Sequence, residues 1–303
     1  MRKAQIHRYC GRDFSGEDLE RIRALIDSPD RPHRLEISRR VCRQLRWIRA
    51  NGALKDMSCR VALLRMHKDG LIELPPPRTR NGNGRWKVLL TERSAEQAPV
   101  SGSVTDLSNI HLQVVSTRSQ SLLWNELIAR YHYLGYTPLP GAQIRYLLYG
   151  SELVLGAMGF GAAAWKMAPR DNWIGWSGSQ REINLHLIVN NNRFLILPNV
   201  RVRNLASRIL SIVAKELPEH WQERYAYRPV LLETLVEDQR FAGTCYKATN
   251  WLHLGHTQGR GKLDRKHENA VPIKSIYVYP LTRKARAALL YDKAATDLKS
   301  AVH

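Results

Sequence analysis

The chain has 303 residues, and its 47 Lys and Arg against 27 Asp and Glu give a formal net charge of +20 at pH 7. Apolar residues make up 44% of it, enough for packed cores in about two domains of roughly 100–200 residues each. The basic excess, densest in the N-terminal third, calls for a polyanionic partner, most simply nucleic acid and first of all DNA. No apolar run reaches about 18 residues and the N-terminus lacks an apolar signal core, so neither a membrane partner nor secretion is expected. Cys10, Cys42, Cys59 and Cys245 stand far apart without a CxxC pair. That spacing suggests reduced thiols in a cytoplasmic protein rather than a disulfide framework or a zinc knuckle.

Residues 14–26 are predicted as a helix capped by Ser15, with Glu17 and Asp18 in its first turn and Leu19, Ile22 and Ile26 on its apolar stripe. A second helix is predicted over 38–48, capped by Ser38, with Val41, Leu45 and Ile48 inward and Arg39, Arg43 and Arg46 outward. A third begins at Ser58, with Val61 and Leu64 inward, and ends at Gly70. Strands are expected at 71–74 and 86–90, joined by a basic, glycine-rich loop over 78–85. Three helices and a basic hairpin resemble a winged helix-turn-helix. In that family the third helix reads the major groove and the wing touches the backbone. The candidate nucleic-acid contacts are Arg60, Arg65 and Lys68 on the helix and Arg80 and Arg85 in the wing. A small helical domain with solvated arginines is the alternative reading of the same residues.

Residues 93–118 are polar and aperiodic and read as a linker between a domain at 1–92 and one at 119–303. Beyond it, a helix over 122–131 precedes a hairpin of strands 143–149 and 153–160, turned at Gly150-Ser151. Residues 165–178 read as a loop with a short helix, and 184–192 as a polar run before a strand at 194–197. A helix from Asn204 to Leu217 follows. The run 229–236 is apolar apart from Glu233 and Thr234, as suits a central strand covered on both faces. A short helix around Tyr246 leads to an aromatic at Trp251, then a last strand at 274–279 and a basic helix at 282–290. The mixed order predicts an α/β (α+β) layer fold around a central sheet.

Several segments together are similar to the DruA family: Ser38-Arg-Arg, Leu71-Ile-Glu-Leu-Pro-Pro, Tyr133-Leu-Gly, Phe194-Leu-Ile-Leu-Pro, Asn204-Leu-Ala-Ser, Leu232-Glu-Thr and Gly243-Thr-Cys-Tyr-Lys-Ala-Thr-Asn-Trp. That family takes its name from the Druantia anti-phage system, and many members carry a transposase-like label. The resemblance implies antiviral defence or a mobile element, with other defence-system subunits as partners.

Residues 120–280 also resemble the GNAT acyltransferase fold, a mixed central sheet flanked by helices. In that fold a loop of the form Arg/Gln-x-x-Gly-x-Gly/Ala opens a helix whose N–H groups hold the CoA pyrophosphate. Arg201-Val-Arg-Asn-Leu-Ala206 matches it, with Asn204 where the first glycine stands. The resemblance therefore implies an acyl-CoA-like cofactor held around Arg201, Arg203, Asn204 and Ala206. It also implies that Tyr246 protonates the departing thiolate and that Glu233 acts as general base. From the residues alone, Tyr246 is equally a packed aromatic and Glu233 one half of an ion pair with an arginine. Arg260 and Lys262, in the glycine-rich run 255–262, are further candidates for phosphate contact.

Two other functions fit the charge. One is a transposase or nuclease using a divalent metal, for which Asp171, Glu182, Glu233, Glu237 and Asp238 supply carboxylates without singling out a triad. The other is a non-catalytic DNA-binding subunit of a defence complex. No resident metal site is expected.

Overall fold

The computed structural model describes residues 6–49, 52–78, 88–259 and 271–291. Arg80, Arg85, Arg260 and Lys262 lie outside the described residues. The chain divides into two compact units, Met1–Arg85 with Arg224–Ala226, and Trp86–Glu223 with Tyr227–His303.

In the smaller unit, β1 (His7–Tyr9) and β2 (Arg12–Phe14) form a hairpin, turned by Cys10 and Gly11 at positive φ. α1 (Gly16–Ile26) starts at Ser15, whose hydroxyl accepts from the Asp18 N–H while the Asp18 carboxylate accepts from the Ser15 N–H. This reciprocal box satisfies two donors that a helix start leaves free. α2 (Arg34–Gln44) begins four residues before the expected cap. His33 caps it through Nδ1, whereas Ser38 is buried inside the helix and donates to the Leu35 carbonyl.

α3 (Asp56–Lys68) also starts ahead of Ser58, and its phase differs from the expected one. Cys59, Ala62, Leu63 and Met66 are buried, while Val61 and Leu64 are 38% and 46% exposed. The sequence offers two apolar stripes at helical spacing. The one with small Cys59 and Ala62 lets α3 approach α2 closely, where Val41 and Cys42 are also buried. Ile48, expected inside, is half exposed and forms an isolated bridge with Leu54.

Residues 71–74 and 88–90 are not strands. Ile72 and Leu74 pack into the core as irregular chain, with the Leu74 N–H donating to His67 Nδ1 and the Ile72 carbonyl 3.2 Å from the same atom. A side chain thus takes one of the backbone donors that a hairpin would have paired.

The larger unit contains β3 (Val100–Ser103), β4 (His111–Val114), α4 (Arg118–Tyr131), β5 (Gln143–Gly150), β6 (Leu153–Ala162), α5 (Ala168–Ile174) and α6 (Gly178–Asn184). These are followed by β7 (Ile188–Ile196), β8 (Val200–Arg203), α7 (Leu205–Tyr225), β9 (Leu231–Glu237), α8 (Thr244–Ala248), β10 (Leu252–His256), β11 (Lys274–Pro280) and α9 (Ala285–Leu289). Seven strands form one mixed sheet in the order β10-β11-β9-β7-β6-β5-β4. Its neighbours are antiparallel except β7 and β9, which run parallel. β3 and β8 form a separate parallel pair.

The segment expected as a linker, 93–118, therefore carries β3 and β4. β4 completes one edge of the main sheet against β5, and pairing across the fold supplies an order that the polar sequence does not signal. β7 likewise runs straight through the polar Asn190-Asn191-Asn192. α7 continues to Tyr225 past Pro218, beyond the expected end at Leu217. Leu205, Ile209, Leu210, Val213, Leu217 and Trp221 make its buried stripe, and that burial carries the helix through the proline.

Candidate functional site

β7 and β9 pair only over Ile188–Asn191 and Leu231–Thr234. Beyond that point the two strands are no longer partners, although β7 runs on to Ile196 and β9 to Glu237. Against β6 the register shifts at the same place: Gly159 faces Arg193 and Phe160 faces Asn191, so Asn192 is the extra residue of a bulge. Glycines on β6 leave room for its side chain. A Cβ on Gly159 or Gly161 would lie 2.9 Å from an Asn192 side-chain atom. The splay and the bulge open a cleft of about 1240 Å³, lined among others by Asn192, Arg193, Phe194, Leu235, Glu237 and Tyr246.

Tyr246 reaches this cleft from α8, which begins after Gly243 at φ +66. The glycine is needed for space too, since a Cβ there would lie 2.6 Å from the Tyr277 hydroxyl. The helix ends in a Schellman closure. The Trp251 N–H donates to the Tyr246 carbonyl and the Asn250 N–H to the Lys247 carbonyl, with Asn250 left-handed at φ +62. The Trp251 ring then packs edge-on to Tyr246, with centroids 5.1 Å apart. The Tyr-to-Trp spacing in the sequence is thus the spacing of a helix stop and its apolar clasp.

On its other side Tyr246 stacks on Tyr277 at 5.6 Å and 19°. Its hydroxyl donates to Asn191 Oδ1 at 3.0 Å. Asn191 is fixed for this role, because its Nδ2 donates to the Gly159 and Arg193 carbonyls. Burial, reinforced by nearby Cys245, raises the pKa of Tyr246, so the phenol keeps its proton at neutral pH. The arrangement holds a protonated hydroxyl where the strands part.

Glu233 sits next to Thr234 but does not line the cleft. Fully buried, it accepts from Arg170 Nη1 at 2.8 Å, from the Ala164 N–H at 3.1 Å and from Asn190 Nδ2 at 3.1 Å. Arg170, equally buried, also bonds Asp171 and the Ala164 carbonyl. Both carboxylate oxygens are thus engaged, away from solvent. This geometry places Glu233 in a buried ion pair with Arg170. Arg170, which completes the pair, carries no local sequence signal beyond its neighbour Asp171.

The cleft walls are basic. Lys166, Arg193, Arg240 and Lys274 line it against the carboxylate of Glu237, which Arg240 bonds at 2.8 Å. Burial, helped by the charge of Arg193, pulls His132 down to about 4, so this lining imidazole is neutral at pH 7. Arg201, Arg203, Asn204 and Ala206 are gathered at the start of α7 but do not line the cleft. The first three are exposed, and Asn204 takes the left-handed conformation at φ +64.

In the smaller unit Arg65 and Lys68 are exposed on α3, while Arg60 is half-buried. Among the described residues no group of three His, Cys, Asp or Glu side chains could hold a metal ion, and no helix is long and apolar enough to cross a membrane. Carboxylates considered for a metal triad are already engaged elsewhere. Asp171 and Glu233 pair with Arg170, Glu237 pairs with Arg240, and Asp238 with His256 and Ser275.

The family model described as Druantia protein DruA matches residues 65–271 of the chain. None of the curated proteins matches it. Among solved structures, an N-acetyltransferase from Staphylococcus aureus Mu50 is similar at 11% identity and a TM-score of 0.35, over 57% of this chain and 99% of that one. FeeM, an N-acyl amino acid synthase from uncultured soil microbes, is similar at 10% identity and 0.36, over 59% and 93%. The aminoglycoside acetyltransferase AAC(6')-Ib in complex with coenzyme A is similar at 12% and 0.38, over 58% and 96%.

Proposed function

The chain belongs to the DruA family, and on that premise we propose that it is a DNA-associated component of an antiviral defence system whose GNAT-like unit binds an acyl-CoA-type cofactor in the splayed cleft. The observation that carries this reading is the parting of β7 from β9 just past Asn191 and Thr234, with the Tyr246 hydroxyl bonded to Asn191 at the parting point. An extended thioester ligand could lie there and pair its amides with the strand edges left free. When the acceptor nucleophile attacks the thioester carbon, the C–S bond breaks and the thiolate needs a proton. Tyr246, kept protonated by its burial, is the group to supply it. With Glu233 held by Arg170, acceptor deprotonation falls to another group or to solvent. Lys166, Arg193, Arg240 and Lys274 suit an anionic ligand. The start of α7, near Arg201, Arg203, Asn204 and Ala206, is the second place where phosphates would be held.

Calorimetric titration of the full chain with acetyl-CoA tests this. Saturable binding is expected, with Tyr246→Phe retaining binding and losing transfer. Absence of heat with every acyl-CoA tried would leave a non-catalytic DNA-binding subunit as the better reading, which the sequestered Glu233 also favours. DNA association is assigned to the basic surface, with Arg65 and Lys68 on α3 of the smaller unit as its contacts. It predicts a steep fall of affinity with salt.

A further inference from the structure

The rim of the cleft carries a feature that cofactor binding does not use. Tyr133, Trp165 and Phe241 line it from three separate segments: after α4, between β6 and α5, and between β9 and α8. Trp165 and Phe241 are 51% and 50% exposed, and Tyr133 is 36% exposed. Single exposed apolar residues are ordinary, but three large rings converging on one opening mark a binding surface. Each ring is braced for stacking. Tyr133 lies on His132 at 4.9 Å and 27°, and Arg240 sits over it at 5.2 Å. Phe241 leans on Tyr133 at 5.5 Å. Arg181 backs Trp165 at 5.6 Å.

Cations alternate with these rings. Lys166 follows Trp165 in the chain, Arg240 precedes Phe241, and Lys274 lies on the same lining. Flat apolar rings between positive side chains complement a ligand with a flat ring and a phosphate on each repeat. That is the chemistry by which single strands are held.

We propose that the rim seats an unpaired nucleotide of single-stranded DNA, its base stacked on Phe241 or Trp165 and its phosphates on Lys166, Arg240 and Lys274. The nucleotide then stands at the mouth of the cleft, where an acceptor would have to be. The proposal rests on the cleft being the functional site but does not require acyl transfer. A paired base has its faces covered by its neighbours, so the rim selects strands that are open or locally opened.

The test is fluorescence anisotropy with the full chain, a labelled oligothymidylate and a labelled duplex of equal length, at two salt concentrations. The wild type is expected to prefer the single strand. Phe241→Ala and Trp165→Ala are each expected to lose about tenfold in single-strand affinity with duplex affinity unchanged, and Phe241→Trp to restore it. Equal affinity for both forms, or a loss shared by both, would overturn the proposal. A parallel acetyl-CoA titration separates the two readings. Strand preference without cofactor binding sinks only the acyl-transfer reading, and cofactor binding without strand preference sinks only this one.

Discussion

The two ends of the β7–β9 pair are built from opposite materials. At the paired end Ile188 and Leu231 are buried with Ile174, Val278 and Leu289, and the buried carboxylate of Glu233 is matched by the buried Arg170. At the open end polar side chains enter the lining, rings are exposed and cations outnumber the lone carboxylate. The paired end is stabilised by burial and by the hydrogen bonds that hold Glu233. The open end leaves binding groups unspent, as a site must. Substitutions at the first should therefore move stability, and those at the second should move binding.

The largest effect is expected for Arg170→Ala, which leaves Glu233 buried without its cation. A loss of about 3–5 kcal/mol is expected in denaturant unfolding. Replacing both residues together, Arg170→Met with Glu233→Leu, should recover most of that loss. If the single variant is as stable as the wild type, the paired end is not held as described. Leu231→Ala, at a fully buried position, should cost about 2–5 kcal/mol in the same measurement.

At the open end Tyr246→Phe should cost only about 1–3 kcal/mol, because it removes one buried hydroxyl and leaves Asn191 Oδ1 without its donor. Its main effect belongs in an activity assay. A pH titration sharpens the contrast further. His132 titrates at about 4 in the folded chain and near 6.5 when unfolded. Between those values the unfolded state binds more protons, so this residue makes stability fall as pH drops from about 6.5 to about 4. His132→Asn should flatten that part of the thermal unfolding profile. The smallest stability effect, within about 0.5 kcal/mol, is expected for Arg65→Ala with Lys68→Ala. That pair should lower the slope of DNA affinity against salt by about two.

Where local chemistry decides structure, the sequence was readable. Ser15 and Asp18 announced the start of α1, and the apolar run through Leu231 and Leu232 announced a central strand. The segment around Tyr246 announced the short helix, though not its closure by Trp251. Where distant partners decide, it was not. Asn190, Asn191 and Asn192 disfavour a strand locally, yet Asn190 bonds Glu233, Asn191 bonds Tyr246, and Asn192 supplies the bulge that helps open the cleft. The same holds for β3 and β4, ordered by strands elsewhere in the chain, and for α3, whose true face depends on how close α2 can come. The basic rim of the cleft was invisible for another reason. Tyr133, Trp165, Phe241 and Lys274 are scattered over the chain and meet only in the fold.

The most direct test of the account is amide hydrogen exchange of the full chain with and without saturating acetyl-CoA. Slowed exchange is expected at residues 190–194 and 234–246, the two sides of the parting strands. Protection confined to other segments, or none at saturation, would contradict it.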